Sequence, residues 1–178
     1  MLQKSAYFTQ QKYCAIIISR KEIKRLFFPK DFFRRNIIMN KNTFKAVKLA
    51  KGEVNVYDFG GIKLHAYKTN DFIDDEVFIV EKNGKAVIIE SPCFFDNNKE
   101  LEEYLKGVKV EGMFIAYHGA GASFMPDVPK YATQNAVDYS ANGGGKALIN
   151  NFTNAFGDAF DKSVHKVTNV IEAGRVNI

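Results

Sequence analysis

One histidine, His118, closes the apolar run Met113-Phe-Ile-Ala-Tyr117 and opens a small-residue loop, Gly119-Ala120-Gly121-Ala122-Ser123. That is the pattern of a buried strand feeding a glycine-rich turn. The α/β proteins place chemistry at such strand ends because the sheet holds a side chain rigidly at an accessible rim. An imidazole there can exchange a proton or ligate a metal through a ring nitrogen. Cys93 is the second reactive group, lying after an apolar run and ahead of a helix start, where a thiol's pKa is lowered. A nucleophile also needs a base. His118 is expected to leave a strand of the same sheet, so the sequence permits a Cys93–His118 pair; the alternative is a small buried residue that closes the strand end.

The other histidines carry less. His65 alternates with Leu64 and Ala66 in a strand pattern and His165 sits beside Lys166, so each reads as a surface or satisfied histidine. No spacing favours their joining His118 around a metal. Asn142-Gly-Gly-Gly-Lys146 precedes a helical pattern and could cradle an anion on exposed backbone N–H groups. It is not a P-loop, because Ala147 follows the lysine where that motif needs Ser or Thr. A helix-to-helix connection accounts for the glycines. Gly119 and Gly121 either let backbone approach a ligand or let a tight loop form.

Short alternating runs at 54–58 and 62–67, separated by Gly60-Gly61, predict a hairpin. A loop rich in Asp and Asn, 69–75, leads to a second pair, 77–81 and 86–90, joined through Asn83-Gly84. Asn-Gly between β-branched runs is a strong hairpin signal. The successive apolar positions of that pair predict strands covered on both faces. Leu101, Tyr104 and Leu105 share a helical stripe, with Asp96 or Asn97 to cap its start and Gly107 to end it. Residues 108–110 and 113–117 then form the strand that delivers His118. Strand, helix, strand is the βαβ rhythm of an α/β sheet. Beyond the loop, 128–132 reads as a short edge strand, and Thr133 opens a helix that Gly143-Gly144-Gly145 must stop. Leu148, Ile149, Phe152, Ala155, Phe156 and Phe160 repeat at the spacing of a core-facing stripe, predicting a helix from Lys146 to about Phe160. Residues 164–171 read as a further strand, and the hairpin begun at Val176 stops after three residues, which implies a longer parent chain.

The order of elements from Val54 to Ile178, with His118 at the strand end, resembles the first half of the metallo-β-lactamase fold, whose metal motif runs Thr-His-x-His-x-Asp-His. His118 matches the first histidine of that motif, while Ala120, Ala122 and Ser123 stand at the other ligand positions. The resemblance implies a partial αββα sandwich, a mixed sheet of hairpins with flanking helices, in the α/β class. It also implies a hydrolase-like fold without the family's zinc site. A hydrolytic zinc needs about three protein donors and an open position; alanine has no donor atom and serine is a poor zinc ligand. The family also tends to place an Asp after the central hairpin, where this chain has Ser91-Pro92-Cys93. The candidate pocket is therefore His118, Gly119, Gly121, Ser123 and Cys93, with a small molecule as its expected ligand. No catalytic residue, metal or cofactor is assigned. The alternative is an interaction module whose unpaired sheet edge meets a second copy or a missing C-terminal half.

A chain of 178 residues with 46% apolar content suits one domain. Its basic balance is local: residues 1–38 hold nine Lys or Arg against Glu22 and Asp31, and the remaining sixteen basic and eighteen acidic residues leave the rest mildly acidic. Phe27, Phe28, Phe32 and Phe33 interleave with Arg25, Lys30, Arg34 and Arg35, a composition that could grip an anionic surface. Pro29 breaks any single amphipathic face, however, so nucleic acid is not the expected partner. Met39 reads as a natural chain start, with 1–38 as a disordered or non-native extension and 39–178 as the domain. Ala15-Ile-Ile-Ile18 is too short for a signal or spanning segment. Two cysteines without zinc or disulfide spacing fit a reducing cytoplasm. Deleting residues 1–38 is expected to leave the thermal unfolding midpoint of the domain unchanged; a drop of several degrees would show that the segment is part of the fold.

Overall fold

Alternation of apolar and polar side chains organises the structure. In a computed structural model that describes residues 44–172, eight strands form one sheet in chain order: β1 Lys45–Lys48, β2 Glu53–Asp58, β3 Ile62–Lys68, β4 Glu76–Lys82, β5 Lys85–Ile89, β6 Lys109–Phe114, β7 Lys130–Thr133 and β8 Asn169–Ile171. The pairings from β1 to β5 are antiparallel and those from β5 to β8 parallel. Three helices accompany them: α1 Phe95–Tyr104, α2 Gln134–Ala141 and α3 Gly143–Phe156, with a 3₁₀ turn at Gly157–Ala159. The expected mixed α/β architecture of hairpins and helices is present. Residues 1–38, read as an extension, lie outside the described residues, as does the hairpin at Val176.

The inward face collects Val54, Tyr67, Val77, Ile79, Ala86, Ile88 and Met113, and Leu101 of α1 and Leu105 just after it pack on it. Both turns behave as their composition requires. Gly60 and Gly61 have φ of 72° and 92°, and Asn83 and Gly84 have 53° and 72°, the left-handed pair that a tight hairpin turn demands. The central pair is not equally buried on its two faces. Val77 and Ile79 are fully buried, whereas Phe78 and Val80 are only half-buried, so the alternation of a one-faced sheet overrides the apolar run.

Several boundaries differ from expectation, each for a local reason. The β1 strand escapes notice because its four residues are mostly exposed and short. Residues 130–133 lie between β6 and β8, so β7 is not an edge strand. Neither Asp96 nor Asn97 caps α1. Phe94 occupies that position without a side-chain bond, and the Asn97 amide instead donates to Tyr67 Oη at 2.8 Å and to the Thr69 carbonyl at 2.9 Å. The three glycines do not form a connection; they are the first turn of α3, capped by the Asn142 carboxamide oxygen, which accepts from the Gly144 N–H at 3.0 Å. A Cβ at Gly145 would fall 2.6 Å from the Tyr139 carbonyl oxygen, so close approach of α3 to α2 explains the glycine. The helix stops at Phe156 and Gly157 turns the chain at φ 55°.

The predicted strand 164–171 shrinks to three residues because the segment before it is spent on the His118 loop. Asp161 N–H donates to the Cys93 carbonyl at 2.7 Å, Gly121 N–H to the Asp161 carbonyl at 3.0 Å, and His165 N–H to the Gly119 carbonyl at 2.7 Å. The His165 ring then lies 2.8 Å from Ser91 Oγ through Nε2. Burial, with Lys130 and His118 adding to it against Asp161, pushes this imidazole down to about 3.

On the other side, Glu100 of α1 ties the helix to the first hairpins: its carboxylate accepts from the N–H groups of Lys51 at 2.6 Å and Gly52 at 2.8 Å, and from Tyr67 Oη at 2.9 Å. Hydrogen bonds to a charged acceptor are each worth about 1.5–3 kcal/mol, so Glu100→Ala is expected to lower unfolding free energy by about 2–3 kcal/mol in urea melts. The exposed Glu103, paired with Lys106 among the described residues, should cost under about 0.5 kcal/mol when replaced by Ala. For His165 the sign follows from its depressed pKa. The unfolded chain takes up a proton near pH 6.5 that the folded chain refuses until about pH 3, so this stability is whole above pH 6.5 and is lost as pH falls towards 3. The slope is about 1.4 kcal/mol per pH unit. His165→Gln should flatten the pH dependence of the melting midpoint across that window, and parallel profiles for the two proteins would refute the assignment.

Candidate functional site

Sheet topology brings three chain segments to one rim. The parallel β5 and β6 end together, with Ile89 beside Phe114, and the antiparallel β4 begins there, with Phe78 beside Ile89. Residues that follow β5 and β6 or precede β4 must therefore share one end of the sheet. These are Glu90 and Cys93, His118, and Asp75. A parallel pair flanked by an antiparallel neighbour makes this meeting a consequence of register.

Each segment is fixed by its own backbone bonds. The Asp75 carbonyl accepts from Thr69 N–H and from Thr69 Oγ1, both at 3.0 Å, while Asp71 Oδ1 holds the turn by accepting from Ile73 and Asp74 N–H at 2.9 and 3.0 Å. Glu90 has φ 68°, a left-handed conformation that costs a non-glycine residue roughly 1 kcal/mol or more. What compensates is its carboxylate: Oε1 accepts from Ala116 N–H at 2.5 Å and Tyr117 N–H at 2.6 Å, clamping the two residues ahead of His118. The loop after His118 lies against the chain after Glu90. Gly121 has φ 89°, and a Cβ on it would meet the Pro92 carbonyl oxygen at 2.3 Å, so this position requires glycine on both counts. Gly119 is also tight, its Cβ direction ending 2.9 Å from Ser140 Oγ of α2.

His118 and Cys93 meet, as the sequence permits: Sγ lies 3.5 Å from Nε2. The same Nε2 is 3.5 Å from Asp75 Oδ2 and 3.6 Å from Glu90 Oε2, and Cys93 Sγ is 3.7 Å from Asp75 Oδ2. His118 is 8% exposed and Cys93 1%, while the Asp75 side chain keeps 21% of its surface, so the cluster opens on the Asp75 side. Burial opposes the charged imidazole, yet Cys93, Asp75 and Glu90 together outweigh it and hold His118 well above its usual range. Burial likewise pushes the Cys93 thiol up to about 11, with His118 pulling the other way. Glu90 is raised by burial against the pull of His118 and of the two N–H groups it accepts. Cys93 thus has the small, buried character of the second alternative as well as the imidazole neighbour of the first.

Ser123 and the other two histidines have partners of their own. Ser123 N–H and Oγ both donate to Asp161 Oδ2, at 2.9 and 2.5 Å, which takes Ser123 into the 161–163 turn. His65 is occupied by Tyr104 Oη at 2.8 Å and Glu81 at 3.1 Å, and His165 by Ser91. The zinc motif of metallo-β-lactamases does not fit these residues, since Ala120 and Ala122 offer no side-chain donor and Ser123 is bound to Asp161. Sequence reasoning missed Asp75 and Glu90. The signal for Glu90 was a lone carboxylate ending an apolar strand; Asp75 had none beyond its place in an Asp-rich turn.

No protein-family model matches this chain, and no curated protein matches it. Among solved structures it is similar to the DIM-1 metallo-β-lactamase, at 12% identity and a TM-score of 0.35, covering 76% of this chain and 53% of that one. It is also similar to TMB-1, at 11% identity and a TM-score of 0.28, covering 70% of this chain and 53% of that one. The chain spans about half the length of these two proteins.

Proposed function

We propose that this chain is a binding domain that takes a small, positively charged ligand at the strand-end rim around His118 and does not by itself hydrolyse a substrate. The observation that supports it is the composition of the rim. Two carboxylates, Asp75 and Glu90, face one imidazole in a buried cluster that opens on one side. A cation entering there meets negative charge that burial leaves poorly solvated, and its binding relieves part of that cost.

The same geometry argues against covalent chemistry. A nucleophilic cysteine needs a lowered pKa and access, and Cys93 has a thiol raised to about 11 and is 1% exposed. The alanines at 120 and 122 offer no donor atom at two positions of the metallo-β-lactamase zinc motif.

Titrating ¹⁵N-labelled protein with methylguanidinium is expected to shift the amides of Glu90, Ser91 and Cys93 and of residues 118–121 before all others, and Asp75→Asn should weaken the effect several-fold. Iodoacetamide should label Cys93 more slowly than a free thiol, with peptide mapping separating it from Cys14, and the hydrolysis of p-nitrophenyl acetate or a chromogenic β-lactam should not exceed that of His118→Ala. Fast labelling of Cys93, or a hydrolytic rate lost in His118→Ala, would overturn this reading.

A further inference from the structure

We propose that Asp75, Cys93 and His118 form a site for one divalent transition-metal ion of borderline softness, zinc or cobalt, bound through Oδ2, Sγ and Nε2. This rests on the reading of the rim as a cation-binding site and names the cation.

The three donor atoms all lie within 4.8 Å of one another, on side chains drawn from three different segments. Their separations are 3.5 Å for nitrogen to oxygen, 3.5 Å for sulfur to nitrogen and 3.7 Å for sulfur to oxygen. Around a tetrahedral zinc, with bonds of about 2.0–2.2 Å to nitrogen and oxygen and about 2.3 Å to sulfur, the corresponding edges are roughly 3.4, 3.6 and 3.6 Å. The triangle therefore matches one face of such a polyhedron to about 0.1 Å. The imidazole–carboxylate separation is too long for a direct N–H···O bond, which has its optimum near 2.9 Å. It is the spacing of two groups that share a third body between them.

Donor chemistry narrows the ion. Thiolate and imidazole favour zinc, cobalt or copper, whereas magnesium and calcium prefer oxygen alone. Three protein donors leave a fourth position, on the side where Asp75 is exposed. Glu90 Oε2, buried and without a hydrogen-bond partner among the described residues, faces Nε2 at 3.6 Å and adds negative charge beside the ion. The donors are also pre-positioned: the Asp75 carbonyl is held by Thr69, the Cys93 carbonyl by Asp161 N–H, and the residues before His118 by Glu90. Binding forms the metal–sulfur, metal–nitrogen and metal–oxygen bonds in place of water ligands of the hydrated ion, which leave to solvent with the thiol and imidazolium protons; no electron is transferred.

The test is cobalt titration of the metal-stripped full chain. One equivalent should produce the visible bands of four-coordinate Co(II) and a thiolate-to-cobalt charge-transfer band, and zinc should displace it. Cys93→Ser should abolish the charge-transfer band, Asp75→Asn should weaken binding at least tenfold, and Cys14→Ser should change neither, with circular dichroism confirming that each variant is folded. Absence of stoichiometric binding by the wild-type chain, or a band that survives Cys93→Ser or disappears in Cys14→Ser, overturns the site. Methylguanidinium separates the two levels of argument. If it shifts the rim amides while cobalt does not bind, the metal is wrong and the cation-binding reading stands; if neither binds, both fall.

Discussion

The carboxylate of Glu90 is the constraint on which the strand-end site depends. It sits where β5 stops, in a left-handed conformation that a side chain normally avoids, and it grips the two backbone N–H groups immediately before His118. The parallel pairing of β5 with β6 stops at Ile89 and Phe114; Glu90 N–H still donates to the Phe114 carbonyl at 2.9 Å and Ile115 N–H to that of Tyr131 at 2.8 Å, and beyond them the Glu90 side chain takes over. Glu90 continues that pairing with a side chain in place of a strand. The imidazole is thereby set by β5 as much as by its own strand, and a change at Glu90 reaches His118 through backbone position and charge together.

The charges there are in tension. Removing an ion from water costs several kcal/mol even after relaxation, while one opposite charge near 4 Å returns about 4 kcal/mol at an effective dielectric constant of 20. A single carboxylate would leave a buried imidazolium near break-even. Cys93, together with the carboxylates of Asp75 and Glu90, tips the balance, so His118 is held above its usual range despite deep burial, whereas burial drives His165 far below it. Among its neighbours His165 meets the cations Lys130 and His118, which repel its charged form, with Asp161 opposing. Two histidines on adjoining segments thus acquire opposite electrostatic characters from their surroundings alone.

Much of the sheet was legible because its signals are local. Gly60-Gly61 and Asn83-Gly84 state their turns through φ, and the stripe of Leu101 and Leu105 declares a helix that does pack on the core. What failed depends on partners distant in sequence. Asn97 looks like a cap until Tyr67 and Thr69 claim its amide, and Gly143 to Gly145 look like a connection until α2 is seen to crowd them. The site divides in the same way. His118 and Cys93 stood out by residue type at strand ends, but Asp75 enters only because β4 runs antiparallel to β5, a fact of register that no short window contains.

Ala120 of the His118 loop is accounted for by packing. Ala120 is 2% exposed, forms an isolated bridge with Val164, accepts the Ser91 hydroxyl through its carbonyl and shares an apolar cluster with Cys93, Phe94 and Phe160. An imidazole at 120 would have to displace this cluster, at a cost typical of overpacking, about 1–3 kcal/mol. The loop is thus committed to core, with Asp161 and His165 sewn to it from the other side. Groups able to do chemistry therefore have to come from neighbouring strand ends, and the sheet delivers them: an anion from before β4, a carboxylate and a thiol from after β5, and an imidazole from after β6. A loop that has become core and a rim that has gathered charge are two outcomes of the same chain path.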